Sequence, residues 1–209
     1  MKLPKTPFAL GWDTPPAWAE DALSDPLALL DDHAHCELGA TVASQGLIAR
    51  VPEDGELVER LSAVAVEEMR HFRQVHRLLR SLGGRLGPVR KNPYAEGLVK
   101  AARGGSDDLL DRLLVAALIE RRSLERFLLL ADAPPVGDPR VQELFRELGP
   151  SEAGHAHLFV ELAAARRPAV ALERRLAFWI EAEAALIRGL EPGPRIHSGP
   201  PRAAVPGPA

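Results

Sequence analysis

The 209-residue chain has only one cysteine, and this scarcity excludes several kinds of site. A single thiol cannot build an internal disulfide framework, a cysteine-ligated iron–sulfur cluster or a rubredoxin-like electron-transfer module. The sequence also lacks any run of about eighteen apolar residues, a secretory signal and a glycine-rich flavin or nucleotide fingerprint. We therefore expect a soluble, cytoplasmic protein without a membrane span. Any reducing equivalents that its chemistry needs must come from another protein.

Positive charge is missing from residues 6–49 and concentrated in the middle of the chain. No lysine or arginine occurs between Thr6 and Ala49, whereas nine basic residues and one acid, Glu96, lie between Arg70 and Gly105. Rows of arginine bind phosphates through salt-sensitive hydrogen bonds, but they also form ordinary solvated surfaces. Contact with phosphates and simple solvation both remain open for the basic residues on one helical face and in the loop that follows that helix. These residues are Arg70, Arg73, Arg77, Arg80, Arg85, Arg90 and Lys91.

The sequence predicts an all-α fold, because alternating apolar and polar residues typical of strands are absent. Four long helices are predicted to begin at N-cap residues or cap–proline pairs, which are Asp25-Pro26, Asp54, Ser106 and Asp138-Pro139. A further helix is predicted near 168–188, with short ones near 17–23 and 93–103. Gly149-Pro150 should kink or interrupt the fourth long helix. The predicted organisation is an N-terminal extension (1–25), a helical bundle (26–190) and an extended or disordered Pro/Gly-rich tail (191–209).

A repeated pair of motifs is the most informative feature of the sequence. Glu-x-x-His occurs at Glu68–His71 and at Glu152–His155, and a lone Glu precedes each copy by 31 or 32 residues, at Glu37 and Glu120. Residues three apart on a helix share a face, and all these positions fall on apolar stripes. Buried carboxylates need cations or hydrogen bonds. The alternative is that these acids lie on helix faces that point outward, where each is solvated or ion-paired.

Four carboxylates and two imidazoles that converge inside a helical bundle are typical of a carboxylate-bridged two-metal site. The predicted metal ligands are Glu37, Glu68, His71, Glu120, Glu152 and His155. Glu67 is a weaker alternative to Glu68, since it points about 100° away from it. Oxygen and nitrogen ligands without a thiolate favour iron, or less readily manganese, over structural zinc. Such a site indicates oxygen chemistry or iron handling.

The remaining histidines, the cysteine and the tyrosine give weaker signals. His33 lies one turn before Glu37 and either supports that ligand or is an ordinary hydrogen-bonded histidine. Cys36 is interpreted as a small buried residue rather than a reactive one. The sequence places Tyr94 in a loop and three histidines on the surface: His76, His157 and His197.

Four segments resemble the family of tRNA hydroxylases that act on methylthio-isopentenyl-adenosine beside the anticodon. They are Asp32-His33-Ala34-His35-Cys36-Glu37, Glu67-Glu68-Met69-Arg70-His71-Phe72, Ile119-Glu120-Arg121-Arg122-Ser123-Leu124-Glu125-Arg126-Phe127 and Arg195-Ile196-His197-Ser198-Gly199-Pro200. The resemblance extends from about Trp18 to Pro200. It implies a ferritin-like four-helix bundle with an additional C-terminal helix, and a non-haem di-iron centre held by the six residues named above.

The same resemblance implies a reaction and its partners. Dioxygen would be the co-substrate, an external reductase or ferredoxin would supply two electrons, and a methyl of the isopentenyl group would be hydroxylated. The substrate would be a tRNA anticodon stem-loop, the enzyme is expected to be a monomer, and no catalytic residue is implied beyond the metal ligands. Phe72, Phe127 and Phe159 are expected either to line a prenyl pocket or to pack in the core.

Two other functions fit the metal motif. Met69, between Glu68 and His71, resembles the haem-binding methionine of bacterioferritins, which store iron, although the basic loop and Pro-rich tail do not fit that class. A ferritin-like di-iron oxidase of a small apolar substrate is the other possibility, and it would make the arginine row incidental.

Overall fold

The computed structural model describes residues 6–89, 91–102 and 108–201, and all regular structure within these ranges is helical. The helices are α1 (Trp18–Leu23), α2 (Pro26–Ile48), α3 (Gly55–Ser81), α4 (Pro93–Ala102), α5 (Asp108–Asp132), α6 (Pro139–Ala164) and α7 (Ala169–Arg188). Helix α2 packs along α3, α5 packs along α6, and α3 meets α6, while α4 and α7 pack against α5. The predicted all-α bundle with an additional C-terminal helix is confirmed. In these ranges no helix is both long and apolar enough to cross a membrane.

The predicted helix starts coincide with side-chain caps. The carboxylates of Asp25, Asp54 and Asp138 each accept a hydrogen bond of 3.0 Å from a backbone N–H of the first turn. Such caps satisfy N–H groups that have no partner inside the helix. The predicted cap Ser106 lies outside the described residues, in which α5 begins at Asp108.

Helix α3 ends at the glycine pair that the sequence predicts. Gly83 has a φ of 85°, a conformation that glycine adopts without the steric cost of a side chain. The N–H of Gly84 then donates to the carbonyl of Leu79 at 2.9 Å, which closes the helix with a Schellman motif.

Helix α6 continues through Pro150 from Pro139 to Ala164. Of the two predicted outcomes, a kink or an interruption, the interruption is therefore wrong. Proline has no N–H to donate to the carbonyl of Arg146, a loss that costs about 3 kcal/mol inside a helix. Apolar residues on both sides of Pro150, including Phe145, Leu148 and Phe159, are buried. Their burial offsets the local cost and keeps the helix in one piece.

Two apolar clusters fill the two ends of the bundle. One contains Leu61, Leu114 and Phe159, and the other contains Val75 and Phe127. On each long helix the predicted metal ligands lie between residues of one cluster and residues of the other. The ligands therefore occupy a polar layer that hydrophobic packing closes from above and below.

The C-terminal segment, for which the sequence predicts an extended or disordered tail, is packed against the bundle at residues 191–201. Ile196, His197 and Ser198 are buried. The indole N–H of Trp18 donates to Ser198 Oγ at 2.8 Å, and Arg126 donates to the carbonyls of Ile196 and Ser198 at 3.2 Å. These distant partners fix a segment whose own composition favours disorder.

Two surface or loop predictions are also wrong. His197 is buried and stacks on Tyr94, with ring centroids 4.5 Å apart. Tyr94 lies in α4 rather than in a loop, is fully buried, and donates its hydroxyl hydrogen to Glu183 Oε1 at 2.9 Å. His76 and His157, which are also predicted at the surface, are half-buried.

Candidate metal centre

The structure brings all six predicted ligands together between α2, α3, α5 and α6. Each is buried, with between 1% and 6% of its surface exposed. They form two overlapping groups in which one ligand atom per residue lies within 4.8 Å of the others. The first group is Glu37, Glu68, His71 and Glu152, and the second is Glu68, Glu120, Glu152 and His155. Glu68 and Glu152 belong to both groups, as carboxylates that bridge two ions do.

The donor atoms of this layer are suited to metal ions. His155 Nδ1 lies 2.7 Å from Glu68 Oε1 and 3.9 Å from Glu120 Oε2, and His71 Nδ1 lies 3.6 Å from Glu68 Oε2. Glu37 Oε1, Glu68 Oε1 and the Nδ1 atoms of both histidines nevertheless have no hydrogen bond of acceptable geometry among the described residues. Buried polar atoms without partners are costly. Divalent cations would satisfy them.

Burial and mutual repulsion control protonation in the metal-free layer. Burial, together with the neighbouring carboxylates, raises the pKa of Glu37 and of Glu152 well above the ordinary value. Burial, followed by the charge of Glu68, raises the pKa of Glu120 to about 7. Burial alone would raise the pKa of Glu68 too, but its close contacts with His155, His71 and Glu37 outweigh burial and lower that pKa. The metal-free layer thus retains protons near neutral pH.

We expect metal binding to release protons and to strengthen as pH rises. Ions must displace protons from Glu37, Glu120 and Glu152, whose pKa values are raised. They must also displace a proton from His155. Burial lowers the pKa of His155, but its interactions with Glu68 and Glu120 outweigh burial and raise that pKa to about 9. Each released proton makes the affinity about tenfold greater per pH unit. Calorimetric titration of the metal-free protein with a divalent cation, in buffers of different ionisation enthalpy at pH 6 and pH 8, measures both effects. Equal affinities at the two values would contradict the prediction.

Two residues, His33 and Glu67, lie outside the two groups and contact predicted ligands. The ring of His33 is buried, packs edge-on against Phe127 and places Nε2 3.1 Å from Glu37 Oε1. Burial, followed by the charge of His71, lowers the pKa of His33 to about 3, so this ring is neutral. Glu67 is half-exposed and accepts a hydrogen bond from His155 Nε2 at 3.1 Å. The structure therefore places Glu68 in the ligand layer and Glu67 outside it.

Ser151 has a contact next to the ligand layer that the sequence did not predict. Its hydroxyl donates a hydrogen bond of 2.5 Å to Glu67 Oε1. Ser151 immediately precedes Glu152, just as Glu67 immediately precedes Glu68. The equivalence of these two positions in the repeat was the available signal.

The two most specific motifs of the resemblance meet in space. Asp32 Oδ2 accepts a hydrogen bond of 2.9 Å from the backbone N–H of Ile196. Half-buried Cys36 lies 3.9 Å from His197 Nδ1. The Asp-His-Ala-His-Cys-Glu motif therefore has two roles. It places Glu37, a candidate metal ligand, inside the bundle, and through Asp32 and Cys36 it contacts the C-terminal segment.

Two cavities flank the ligand layer. The larger, of about 920 Å³, follows the outer face of α2, and its walls include His35, Cys36, Met69, Lys91 and Arg195. The second, of about 720 Å³, is a cleft between α3 and α6 whose lining includes Glu67, Arg70, His71, Ser151, Gly154 and His155.

None of the three phenylalanines that were candidates for a prenyl pocket lines either cavity. Phe127 and Phe159 belong to the two apolar clusters, and Phe72 stacks on His76 with ring centroids 5.7 Å apart. Core packing, the alternative explanation, describes Phe127 and Phe159.

The basic residues predicted on the outer face are exposed. Arg70, Arg73, Arg77, Arg80, Arg85 and Lys91 all project into solvent, whereas Arg90 lies outside the described residues. None of these six forms an ion pair within the described part of the chain. Arg70 also lines the α3–α6 cleft. Their charge is therefore available to an anionic partner.

Comparisons with known proteins identify the family. The profile of tRNA-(MS[2]IO[6]A)-hydroxylase (MiaE) matches residues 2–198. A Pseudomonas putida tRNA 2-(methylsulfanyl)-N(6)-isopentenyladenosine(37) hydroxylase is 36% identical over 202 residues, 96% of this chain and 97% of the relative. The Salmonella typhimurium protein of the same name is 33% identical over 153 residues, 73% of this chain, so the match spans only 55% of that relative.

The fold comparison agrees with the sequence comparison. A solved structure described as protein 43 with aldehyde deformylating oxygenase activity from Synechococcus superposes with a TM-score of 0.85 at 37% identity. The match covers 91% of this chain and 96% of that one. With the two overlapping Glu/His groups inside an all-α, ferritin-like bundle, the full-length profile match shows that this chain belongs to the MiaE family of tRNA hydroxylases.

Proposed function

We propose that this protein hydroxylates the isopentenyl group of 2-methylsulfanyl-N6-isopentenyladenosine at position 37 of tRNA. The observation that carries the proposal is the coincidence of a full-length family match with two overlapping groups of buried Glu and His residues. Position 37 and the methylsulfanyl group come from the names of the relatives.

Two iron ions are the proposed cofactor, with manganese less favoured, because the donors are carboxylates and imidazoles without a thiolate. The proposed ligands are Glu37, Glu68, His71, Glu120, Glu152 and His155. The chemistry that such a centre supplies is reductive activation of O2, with one oxygen atom inserted into a C–H bond and the other released as water.

The protein's own contribution is to hold these donors and to keep water away from them. His33 contacts Glu37, and Glu67 contacts His155, so each end of the layer has an outer partner that limits movement of a ligand. The apolar clusters on both sides exclude bulk water. The two electrons are proposed to come from an external reductase or ferredoxin. We also propose that the enzyme is a cytoplasmic monomer.

A direct assay tests the proposed reaction. The iron-loaded protein is incubated with O2, an electron donor and tRNA that carries the modified adenosine, and the nucleosides are analysed by mass spectrometry. We expect the modified nucleoside to gain one oxygen atom in an iron-dependent manner. Nucleosides from cells with and without the gene provide the same measurement in vivo. Unchanged nucleosides in both experiments would disprove the proposal.

Aldehyde deformylation by an oxygenase is the second candidate function, because the Synechococcus structure is described as having aldehyde deformylating oxygenase activity and is 37% identical to this chain. It corresponds to the oxidase of a small apolar substrate. An apolar aldehyde is therefore included in a parallel assay with the same electron donor. Aldehyde consumption without modification of tRNA would favour this candidate over the hydroxylase.

The exposed arginine row of α3 is proposed to contact tRNA phosphates, together with Arg85, Arg90 and Lys91. We expect Arg77→Glu to weaken tRNA binding and to lower the slope of log affinity against log salt by about 1, the effect of one lost phosphate contact. Arg174→Glu, at another exposed arginine on α7, is the matched control for the change in charge. Binding measured by fluorescence anisotropy at several salt concentrations gives both quantities. Identical slopes for the two variants would exclude this contact.

A further inference from the structure

The repeat that builds the ligand layer is broken immediately outside it. Glu68 and His71 correspond to Glu152 and His155, and the preceding position is an acid, Glu67, in one copy and Ser151 in the other. Glu67 accepts a hydrogen bond from His155, but Ser151 makes no equivalent contact with His71, because its hydroxyl donates to Glu67 instead. The two ends of the layer therefore have equivalent ligands and different surroundings.

Glu67 fixes the ring of His155. Its Oε2 accepts from His155 Nε2 at 3.1 Å, while the other ring nitrogen, Nδ1, lies 2.7 Å from Glu68 Oε1 and 3.9 Å from Glu120 Oε2. The ring thus bridges an outer carboxylate and the proposed metal position. An outer carboxylate orients a ligating imidazole, makes it a stronger donor, and commonly changes metal affinity by 10- to 100-fold.

The other end of the layer has an outer partner of the opposite kind. Within the described residues no carboxylate contacts the outer nitrogen of His71, and the nearest outer group at this end is the buried ring of His33, whose Nε2 lies 3.1 Å from Glu37 Oε1. An imidazole beside Glu37 carries no negative charge, so it cannot strengthen a ligand here as the carboxylate of Glu67 strengthens His155. The corresponding position before Glu120 is Ala116, which cannot act in this way.

We propose that the two metal positions bind divalent cations with unequal affinities, and that the position for which His155 is a ligand fills first. Glu67 produces this difference because it positions the ring of His155. The inference rests on the metal centre of the proposed function and not on its tRNA substrate. Glu67 is a positioning residue: it touches a ligand and lies outside both ligand groups.

Anaerobic titration of the metal-free protein with Co(II), followed by visible absorption and calorimetry, tests this without any turnover. We expect two binding steps whose dissociation constants differ at least about tenfold. His71→Ala should keep the tight step, and His155→Ala should lose it. Glu67→Ala should weaken the tight step by about 10- to 100-fold, so that the two steps merge. Glu67→Gln keeps an oxygen acceptor without the charge and should fall between Glu67→Ala and the unaltered protein.

Glu147→Gln is the control for removing one negative charge, since Glu147 is exposed and lines the same cleft. It should leave both steps unchanged. The thermal transition of each metal-free variant establishes that it is folded, and the Gln variant carries the test if the Ala variant is not.

Equal affinities in the unaltered protein, equal weakening of both steps in Glu67→Ala, or loss of the tight step in His71→Ala would each overturn the inference. Two equal steps would leave the proposed metal centre intact. A protein that binds no divalent cation would overturn the metal centre as well.

Discussion

Replacement of Glu152 by alanine is expected to remove both metal ions and reduce hydroxylation to the level of the metal-free protein. Glu152 belongs to both ligand groups, so its loss takes one carboxylate from each ion at once. Inductively coupled plasma mass spectrometry should find about two iron ions per chain in the unaltered protein and almost none in the variant. Glu68→Ala should behave in the same way.

Glu37→Ala and Glu120→Ala provide the matched controls, because each of these residues belongs to one group only. Each variant should retain about one ion per chain. Metal-free Glu152→Ala should be at least as stable as the metal-free parent, since the change removes a buried carboxyl group whose pKa burial already raises. Two ions in Glu152→Ala would refute the assignment of Glu152 as a shared ligand.

The convergence of the six buried Glu and His residues could be predicted because helical geometry depends on local spacing. Glu68 and His71 share a face, and the apolar residues one or two turns away, such as Leu61 and Val75, identify that face as the inner one. The same reasoning applies independently on α6, and the repeat makes both interpretations agree. Local spacing also predicted the caps at Asp25, Asp54 and Asp138.

Contacts between distant parts of the sequence could not be predicted in this way. Arg122 and Arg126 look like ordinary surface arginines in the sequence, yet both are fully buried. Arg126 holds the C-terminal segment through two backbone carbonyls, and this explains why a Pro/Gly-rich stretch is ordered at His197 and Ser198. Composition describes what a segment does alone, whereas its partners here lie about seventy residues away.

Helix α6 is a second case in which contacts between distant residues override a local sequence signal. Pro150 is a strong local signal for a break, and the local cost that it imposes is real. Packing against α5 is a tertiary effect that no single-helix rule contains, and it decides the outcome. Glu152 and His155, two of the proposed ligands, therefore lie on an uninterrupted helix.

Arg122→Ala is expected to have the largest effect on stability, about 3–5 kcal/mol in the free energy of unfolding. Arg122 is fully buried and donates from Nε and Nη2 to the two carboxylate oxygens of Glu183, both at 2.8 Å. Nη1 donates to the carbonyl of Trp12 at 3.0 Å, which ties the N-terminal segment to α5 and α7. Removing the guanidinium leaves Glu183 as a buried charge without its cation. Urea denaturation followed by circular dichroism measures the loss.

Two further variants separate the buried charge from the loss of a side chain. Arg60→Ala removes an arginine whose partner, Glu161, is largely exposed, and it should cost less than about 1 kcal/mol. Arg122→Met combined with Glu183→Leu removes both charges and keeps apolar volume, so it should recover most of the stability that Arg122→Ala loses. Recovery stays incomplete if the hydrogen bond from Tyr94 to Glu183 also matters, because the double variant leaves that hydroxyl without its acceptor. A double variant no more stable than Arg122→Ala would show that the lost contacts of Arg122, and not the stranded charge of Glu183, account for the effect.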